Sequence, residues 1–196
     1  MSNLTLFHNG PSTCSQKVRL ILGLKNLTYE SKIIDLQAGE QHDAEYIKLN
    51  PNHVVPTLIC DEKILVESSL ILEFLEDKFP EKPARSKIPE EIYQMRLWMK
   101  TIDAYHIHGG SITYGIGVRN ILILKPKDEL DKEINEIPDL EKRENRRDLI
   151  ENGLEAKCVI EGLKQSKTLM DKLEIGLKDR EWSVSYTHLR AHETKS

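Results

Sequence analysis

The residues best suited to chemistry lie in a short polar turn near the N-terminus. The run Pro11–Ser15 carries the hydroxyls of Ser12, Thr13 and Ser15 and the thiol of Cys14, immediately before a predicted helix. The free N–H groups and the positive dipole end at a helix start stabilise an anion, and a thiolate is such an anion. A thiol has an ordinary pKa of about 8.5, so a hydroxyl donor here would favour the nucleophilic thiolate near neutral pH. The pattern therefore predicts thiolate chemistry, while simple capping of the helix is the alternative.

Two further segments could bind the rest of a peptide-like ligand. If the Val55–Pro56 bond is cis, Val55 presents its N–H and C=O groups for strand-like pairing with an extended peptide. Glu67 and Ser68 stand at the start of a predicted helix, where a hydroxyl with free N–H groups binds a carboxylate and a nearby carboxylate binds an ammonium group. Together they predict a site for the head of an α-amino acid. Each segment taken alone is also explained by a strand entry or a helix cap.

The elements that would position these residues can be read from the apolar periodicity. Strands follow from short β-branched or aromatic runs, and helices follow from apolar residues three to four apart. The predicted elements are strand Leu4–His8, helix Ser15–Asn26, strand Thr28–Leu36, helix Asp43–Leu49, strands Thr57–Cys60 and Lys63–Val66, and helix Ser68–Phe79. Ser12 and Ser15 are both candidate N-caps of the first helix. A strand, helix and strand in succession indicate a parallel pair with a crossover helix. The order β-α-β-α-β-β-α is that of an α/β thioredoxin-like domain, predicted for residues 1–80.

A second domain is predicted to follow a linker. Pro80, Pro83 and Pro89 bracket a polar segment that continues neither helix nor sheet, so residues 81–89 are the expected linker. Beyond it, Glu90–Tyr105 and Asp139–Leu177 have helical periodicity and few helix breakers. Residues 90–182 are therefore expected to form an all-α domain.

Composition narrows the classes of function. The chain has 196 residues and a formal net charge of −4, which does not supply the basic face that a sequence-independent nucleic-acid binder needs. No segment reaches the roughly 20 apolar residues of a membrane span, and Met1–Phe7 lacks the features of a signal peptide, so a cytoplasmic location is expected. Three widely spaced cysteines predict neither a disulfide framework nor a zinc site. No metal is expected.

The three chemical segments occur in the order and spacing of the soluble glutathione transferases, which residues 4–80 resemble. Ser12–Arg19 is similar to the start of the zeta class and, more broadly, of theta-like members. Asn50–Pro51, Val55–Leu58 and Glu67–Leu75 resemble the glutathione-site segments of the family. In the second domain, Arg96–Met99, Asp103 and Tyr105–Tyr114 resemble bacterial transferases near the β-etherase group.

The resemblance implies that glutathione is the co-substrate and gives each segment a role. Ser12 would hydrogen-bond and activate the glutathione thiol, with Cys14 as a rival nucleophile. Val55 would pair through its backbone with the cysteinyl unit of glutathione, and Pro56 would be the cis-proline. Glu67 and Ser68 would bind the γ-glutamyl head. Gln41 and His53 would bind the glycyl end.

The function implied is transfer of the glutathione thiolate to a small hydrophobic electrophile by a homodimeric detoxification enzyme. Two alternatives stay open: a non-catalytic binding or assembly module with the same fold, and a thiol transferase that depends on Cys14. Residues 183–196 lack apolar periodicity and any resemblance to the family. They are expected to be a foreign or disordered tail on a helical domain that is apparently truncated.

Overall fold

The computed structural model describes residues 2–137, 139–180 and 184, and of Ile107 only the backbone. The chain divides into two compact units, Met1–Ile92 and Tyr93–Ser196. The predicted α/β thioredoxin-like domain followed by helices is confirmed. The expectation of a foreign or disordered tail falls on residues 183–196, which lie outside the described residues except for Val184.

A four-stranded mixed sheet forms the centre of the first unit. Its strands are β1 (Leu4–His8), β2 (Glu30–Ile33), β3 (Thr57–Cys60) and β4 (Lys63–Leu65), in the spatial order β2-β1-β3-β4. β1 pairs with β2 in parallel and with β3 antiparallel, and β3 pairs antiparallel with β4. β2 ends earlier than the predicted Leu36 because the Asp35 carboxylate accepts hydrogen bonds from the backbone N–H groups of Gln37 and Ala38, at 2.8 and 3.1 Å. These bonds turn the chain out of the sheet.

Three α-helices and one 3₁₀ turn complete the first unit: α1 (Thr13–Leu24), α2 (Ala44–Leu49), α3 (Ser68–Lys78) and the 3₁₀ turn Glu40–His42. α1 begins two residues before the predicted Ser15, because Ser12, one of the two candidate caps, is the residue that caps it. α1 and α3 bury their apolar faces against β1 and β3. The members of this core are Leu4, Leu6, Val18, Ile21, Leu22, Leu58, Cys60, Ile71 and Leu75.

A buried ion pair holds the segment after α3 against the first unit. Lys25 Nζ lies 2.7 Å from Glu76 Oε2, and the two side chains are only 1% and 9% exposed. The same ammonium donates to the carbonyl oxygens of Phe79 and Lys82, at 2.9 and 2.8 Å. The Glu76 carboxylate also accepts from Ala84 N. Part of the predicted linker is thus fixed by charge-assisted hydrogen bonds.

The second unit is helical throughout its described elements. They are α4 (Pro89–Thr113), which starts in the first unit, a π-helical segment (Tyr114–Val118), α5 (Arg119–Leu122), α6 (Lys127–Asn135), α7 (Leu140–Asn152), a 3₁₀ turn (Gly153–Glu155) and α8 (Lys157–Leu177). Gly115 packs closely on another element, since a Cβ there would lie 3.2 Å from Val159 Cγ2. No described helix is long and apolar enough to cross a membrane.

Candidate functional site

The strand register brings the segments predicted to carry the chemistry to one edge of the sheet. At this edge β1 leads into the turn before α1, β2 leads into the 3₁₀ turn, β3 begins after the Val55–Pro56 segment, and β4 leads into Glu67 and Ser68. The residue pairs that fix this arrangement are His8 with Ile33, Phe7 with Thr57, and Leu58 with Leu65. Segments far apart in sequence therefore meet at one place.

Ser12 caps α1 in a way that leaves its own proton available. Ser12 Oγ accepts a hydrogen bond from Ser15 N at 3.2 Å, and Ser12 is half-buried. A hydroxyl has one donor besides its two acceptor lone pairs, so Ser12 can cap the helix and donate to an anion at once. Cys14, in the first turn of the same helix, is half-buried and is not in a disulfide.

Arg19 and His8 hold the turn that precedes Ser12. Arg19 donates to His8 Nδ1 and Asn9 O, each at 3.0 Å, and to Gly10 O at 2.8 Å. An arginine can only donate, so His8 Nδ1 is an acceptor and its ring proton lies on Nε2. Nε2 then donates to Ser31 Oγ at 2.8 Å. Burial, and secondly the Arg19 charge, lower the pKa of His8. The sequence pattern did not reveal either residue as a support of the site.

This arrangement predicts that the chain loses stability in mild acid. Because the pKa of His8 is lowered in the folded state, the unfolded chain binds the proton first as the pH falls below about 6.5, and the free energy of unfolding decreases there. Denaturant titrations at several pH values from neutral to mildly acidic measure the effect. His8→Gln, which can keep both hydrogen bonds without titrating, should show a smaller decrease. An equal decrease in both proteins would exclude His8 as a source.

The turn before β3 contains a cis peptide bond between Val55 and Pro56. The Tyr46 hydroxyl donates to Val54 O at 2.7 Å and lies 3.0 Å from Thr57 Oγ1. The paired strand begins only at Thr57, so Val55 precedes the ladder and is 8% exposed. Asn50, at 1% exposure, supports the same turn by donating from Nδ2 to Val54 O at 2.9 Å and to Thr57 Oγ1 at 3.0 Å. The supporting role of Tyr46 was missed from sequence.

Glu67 and Ser68 occupy the N-terminus of α3. Ser68, the first helical residue, is 8% exposed, and Glu67 before it is exposed with a φ of 66°. Glu67 O accepts the first helical hydrogen bond, from Ile71 N at 2.9 Å. Lys17 Nζ of α1 donates to Ser69 Oγ at 3.1 Å, which joins the starts of the two helices. The helix start offers backbone donors for a carboxylate, and Glu67 offers a carboxylate for an ammonium group.

His53 contacts His42, a residue that the sequence pattern did not indicate, and Gln41 precedes His42 in the same 3₁₀ turn. His42 Nδ1 lies 2.9 Å from His53 Nδ1, and Asn50 O accepts from His53 N at 3.0 Å. Burial and then the His53 charge lower the pKa of His42, while the Asp43 charge opposes them. Within the described part of the chain, no donor reaches the buried Gln41 Oε1. The described residues also contain no group of three or more His, Cys, Asp and Glu that could hold a metal.

A known protein-family model matches part of the first unit. Residues 11–78 match the family model described as the N-terminal domain of glutathione S-transferase. That range contains all three chemical segments of the sheet edge.

Individual relatives extend the similarity. Protein LigF of Sphingobium sp. (strain NBRC 103272 / SYK-6) is 29% identical over 184 residues, which cover 92% of this chain and 72% of LigF. A zeta-class glutathione S-transferase of Euphorbia esula is 40% identical over 94 residues, covering 48% of this chain and 40% of that protein. The crystal structure of the β-etherase LigF superposes with a TM-score of 0.84, covering 96% of this chain and 79% of that one. The chain is therefore similar over most of its length to LigF and, in residues 11–78, to the N-terminal domain of the glutathione S-transferases.

Proposed function

We propose that the protein joins the thiolate of glutathione to a small hydrophobic electrophile, with Ser12 as the group that stabilises the thiolate. The observation that carries this proposal is the meeting, at one sheet edge, of the Ser12 cap, the Val55–Pro56 turn and the start of α3. The proposal includes the homodimeric, cytoplasmic form that the family resemblance implies.

The order of the strands suggests how the tripeptide lies along this edge. The γ-glutamyl head would bind at the start of α3, with its carboxylate on the helix N-terminus and its ammonium group on Glu67. Glu67 forms no hydrogen bond or ion pair with another described side chain, so its carboxylate is available. The cysteinyl unit would pair with the backbone of Val55, which places its sulfur near the Ser12 hydroxyl. The glycyl end would then point toward the side of β2, where the 3₁₀ turn and His53 follow.

The chemistry requires little beyond thiolate formation and positioning. The Ser12 hydroxyl donates to the sulfur, and the N-terminus of α1 adds its dipole, so the thiolate is stabilised at neutral pH. Among electrophiles we favour ethers. The similarity to LigF, whose structure is described as a β-etherase, covers 92% of the chain, whereas that to the zeta-class protein covers 48%. In an ether cleavage the sulfur–carbon bond forms as the carbon–oxygen bond breaks, and the oxygen leaves with the electron pair and takes up a proton.

Glutathione binding tests the first unit directly. Isothermal titration calorimetry of the full chain should detect binding, and Glu67→Gln and Ser68→Ala should each weaken it about tenfold or more, because each removes a charge-assisted contact. Glu62→Gln is the matched control, since this exposed residue lies in the β3–β4 turn at the opposite end of the strands. Its affinity should equal that of the unmodified chain. Failure of the folded chain to bind glutathione would contradict the proposal.

A further inference from the structure

Four polar groups form a closed ring of hydrogen bonds beneath the turn that precedes β3. The Tyr46 hydroxyl donates to Val54 O at 2.7 Å and lies 3.0 Å from Thr57 Oγ1. Asn50 Nδ2 donates to the same two oxygen atoms, at 2.9 and 3.0 Å. Tyr46, Asn50 and Thr57 are 4%, 1% and 0% exposed, so the ring is shielded from solvent.

The number of protons fixes the direction of each bond in this ring. Asn50 Oδ1 accepts from Asn52 N at 3.1 Å, which leaves Nδ2 as the group that faces the ring. Its two protons go to Val54 O and Thr57 Oγ1. Tyr46 has a single proton and gives it to Val54 O, so the Thr57 hydroxyl donates to the Tyr46 oxygen. Tyr46 is therefore a direct donor to Val54 O, whereas Thr57 contacts only the two donors.

The peptide group that joins Val54 to Val55 links the ring to the ligand edge. Val54 C=O and Val55 N–H lie in one rigid plane and point in opposite directions across a trans bond. Two hydrogen bonds hold Val54 O toward the ring, so Val55 N–H is held in the direction away from it. Within the described part of the chain, Val55 N–H has no acceptor, although Val55 is only 8% exposed. Buried N–H groups are ordinarily paired, so this one is a donor for a ligand.

The aromatic ring of Tyr46 is fixed by packing that does not involve its hydroxyl. It lies in a small core with Ile34 and Val55, and its centroid is 5.9 Å from that of Phe7 in β1. A phenylalanine can make the same apolar contacts. Burial raises the pKa of the Tyr46 hydroxyl, which is therefore protonated at neutral pH. Removing the hydroxyl thus removes one donor to Val54 O and leaves the packing in place.

We propose that Tyr46 is a positioning residue for glutathione: its hydroxyl fixes the Val54–Val55 peptide group so that Val55 N–H meets the cysteinyl carbonyl of the ligand. This inference rests on the proposed function. A turn that is already ordered binds a ligand without the entropy cost of ordering it, so Tyr46 should act on affinity. The contact is the same before and during the reaction at the sulfur, so kcat should not depend on it.

Calorimetry with the full chain and glutathione tests this role. Tyr46→Phe should weaken binding by about five- to tenfold, because Val54 O keeps only the Asn50 bond. Thr57→Val should change the affinity by less than about twofold, since both donors to Val54 O remain, even though both variants lower the midpoint of thermal unfolding. In both, kcat at saturating glutathione should stay within about twofold of the unmodified value. Tyr93→Phe, at an exposed tyrosine of α4, is the matched control and should bind like the unmodified chain.

A double variant decides the matter if Tyr46→Phe alone fails to fold. Tyr46→Phe with Thr57→Val leaves neither hydroxyl buried without a partner, and it should bind glutathione as weakly as Tyr46→Phe does. The inference is overturned if the variants that lack the Tyr46 hydroxyl bind as tightly as the unmodified chain, or if Thr57→Val alone weakens binding equally. The proposed function then stands. If the folded unmodified chain does not bind glutathione, the proposed function fails and the inference falls with it.

Discussion

Ser12→Ala should lower kcat for a reactive aryl electrophile by about 100-fold or more, while the affinity for glutathione changes little. Ser12 is the residue at this sheet edge whose hydroxyl can cap α1 through Ser15 N and still donate a proton. Without that donor the bound thiol is protonated more of the time, and only the thiolate attacks. Steady-state kinetics give kcat, calorimetry gives the affinity, and the ultraviolet absorbance of the bound thiolate reports the ionisation itself.

Two variants separate this role from capping and from Cys14. Ser12→Thr keeps both the hydroxyl and the cap, so it should retain most of the activity, whereas loss of the cap alone costs about 1 kcal/mol of stability. Cys14→Ala should keep kcat within about threefold, since no bond to the electrophile passes through it in this mechanism. If Cys14→Ala were inactive and Ser12→Ala active, with a mixed disulfide seen by mass spectrometry, the protein would be a thiol transferase. Binding without turnover in the unmodified chain would indicate a binding module.

The second large effect concerns stability. Lys25→Met should lower the free energy of unfolding by about 3–5 kcal/mol, because it leaves the Glu76 carboxylate buried without its cation. It also removes the donor to the carbonyl groups of Phe79 and Lys82. Denaturant unfolding followed by circular dichroism measures the change.

Lys32→Met is the matched control. Lys32 pairs with Glu30 at 2.5 Å, but these side chains are 49% and 56% exposed, and exposed pairs contribute about 0–1 kcal/mol. The double variant Lys25→Met with Glu76→Leu should recover part of the loss, because no buried charge remains, but the two carbonyl groups still lack a donor. Equal effects of Lys25→Met and Lys32→Met would show that the Lys25–Glu76 pair is not stabilising.

The sequence predicted those parts of the fold that are encoded locally. Alternating and helical apolar patterns gave the element order of the first unit, and Pro56 at a strand entry indicated the turn that the structure contains. Lys25 could not be recognised, because a lysine at the end of a helix is ordinarily exposed and its partner Glu76 lies about 50 residues later. Only the packing of α1 beside α3 buries both.

The candidate site was predictable to a similar degree. Ser12, Val55, Glu67 and Ser68 lie in short runs whose residue types suggest their chemistry, and their roles remain predictions. Residues that support a site through tertiary contacts have no such local signal, and these were His8 with Arg19, Tyr46 below the Val55 turn, and His42 beside His53. Of the two candidate caps of α1, Ser12 and Ser15, the sequence could not show for a related reason that only Ser12 fills the role. Ser15 Oγ accepts from Asn9 N instead, at 3.3 Å, which a sequence pattern does not show.

The sheet register places the segments assigned to the ligand at one end of the strands and the β3–β4 turn at the other. Every segment assigned to the ligand leaves one edge, whereas the β3–β4 turn with Asp61 and Glu62 lies at the other, where Asp61 accepts from Asn3 N at 3.0 Å and from Lys78 at 3.2 Å. A four-residue strand of about 3.3 Å per residue places roughly 13 Å between the two edges. The exposed Glu62 is therefore a suitable position for attaching a fluorophore or a solid support, since a label there would lie at the end of the strands opposite to the ligand edge.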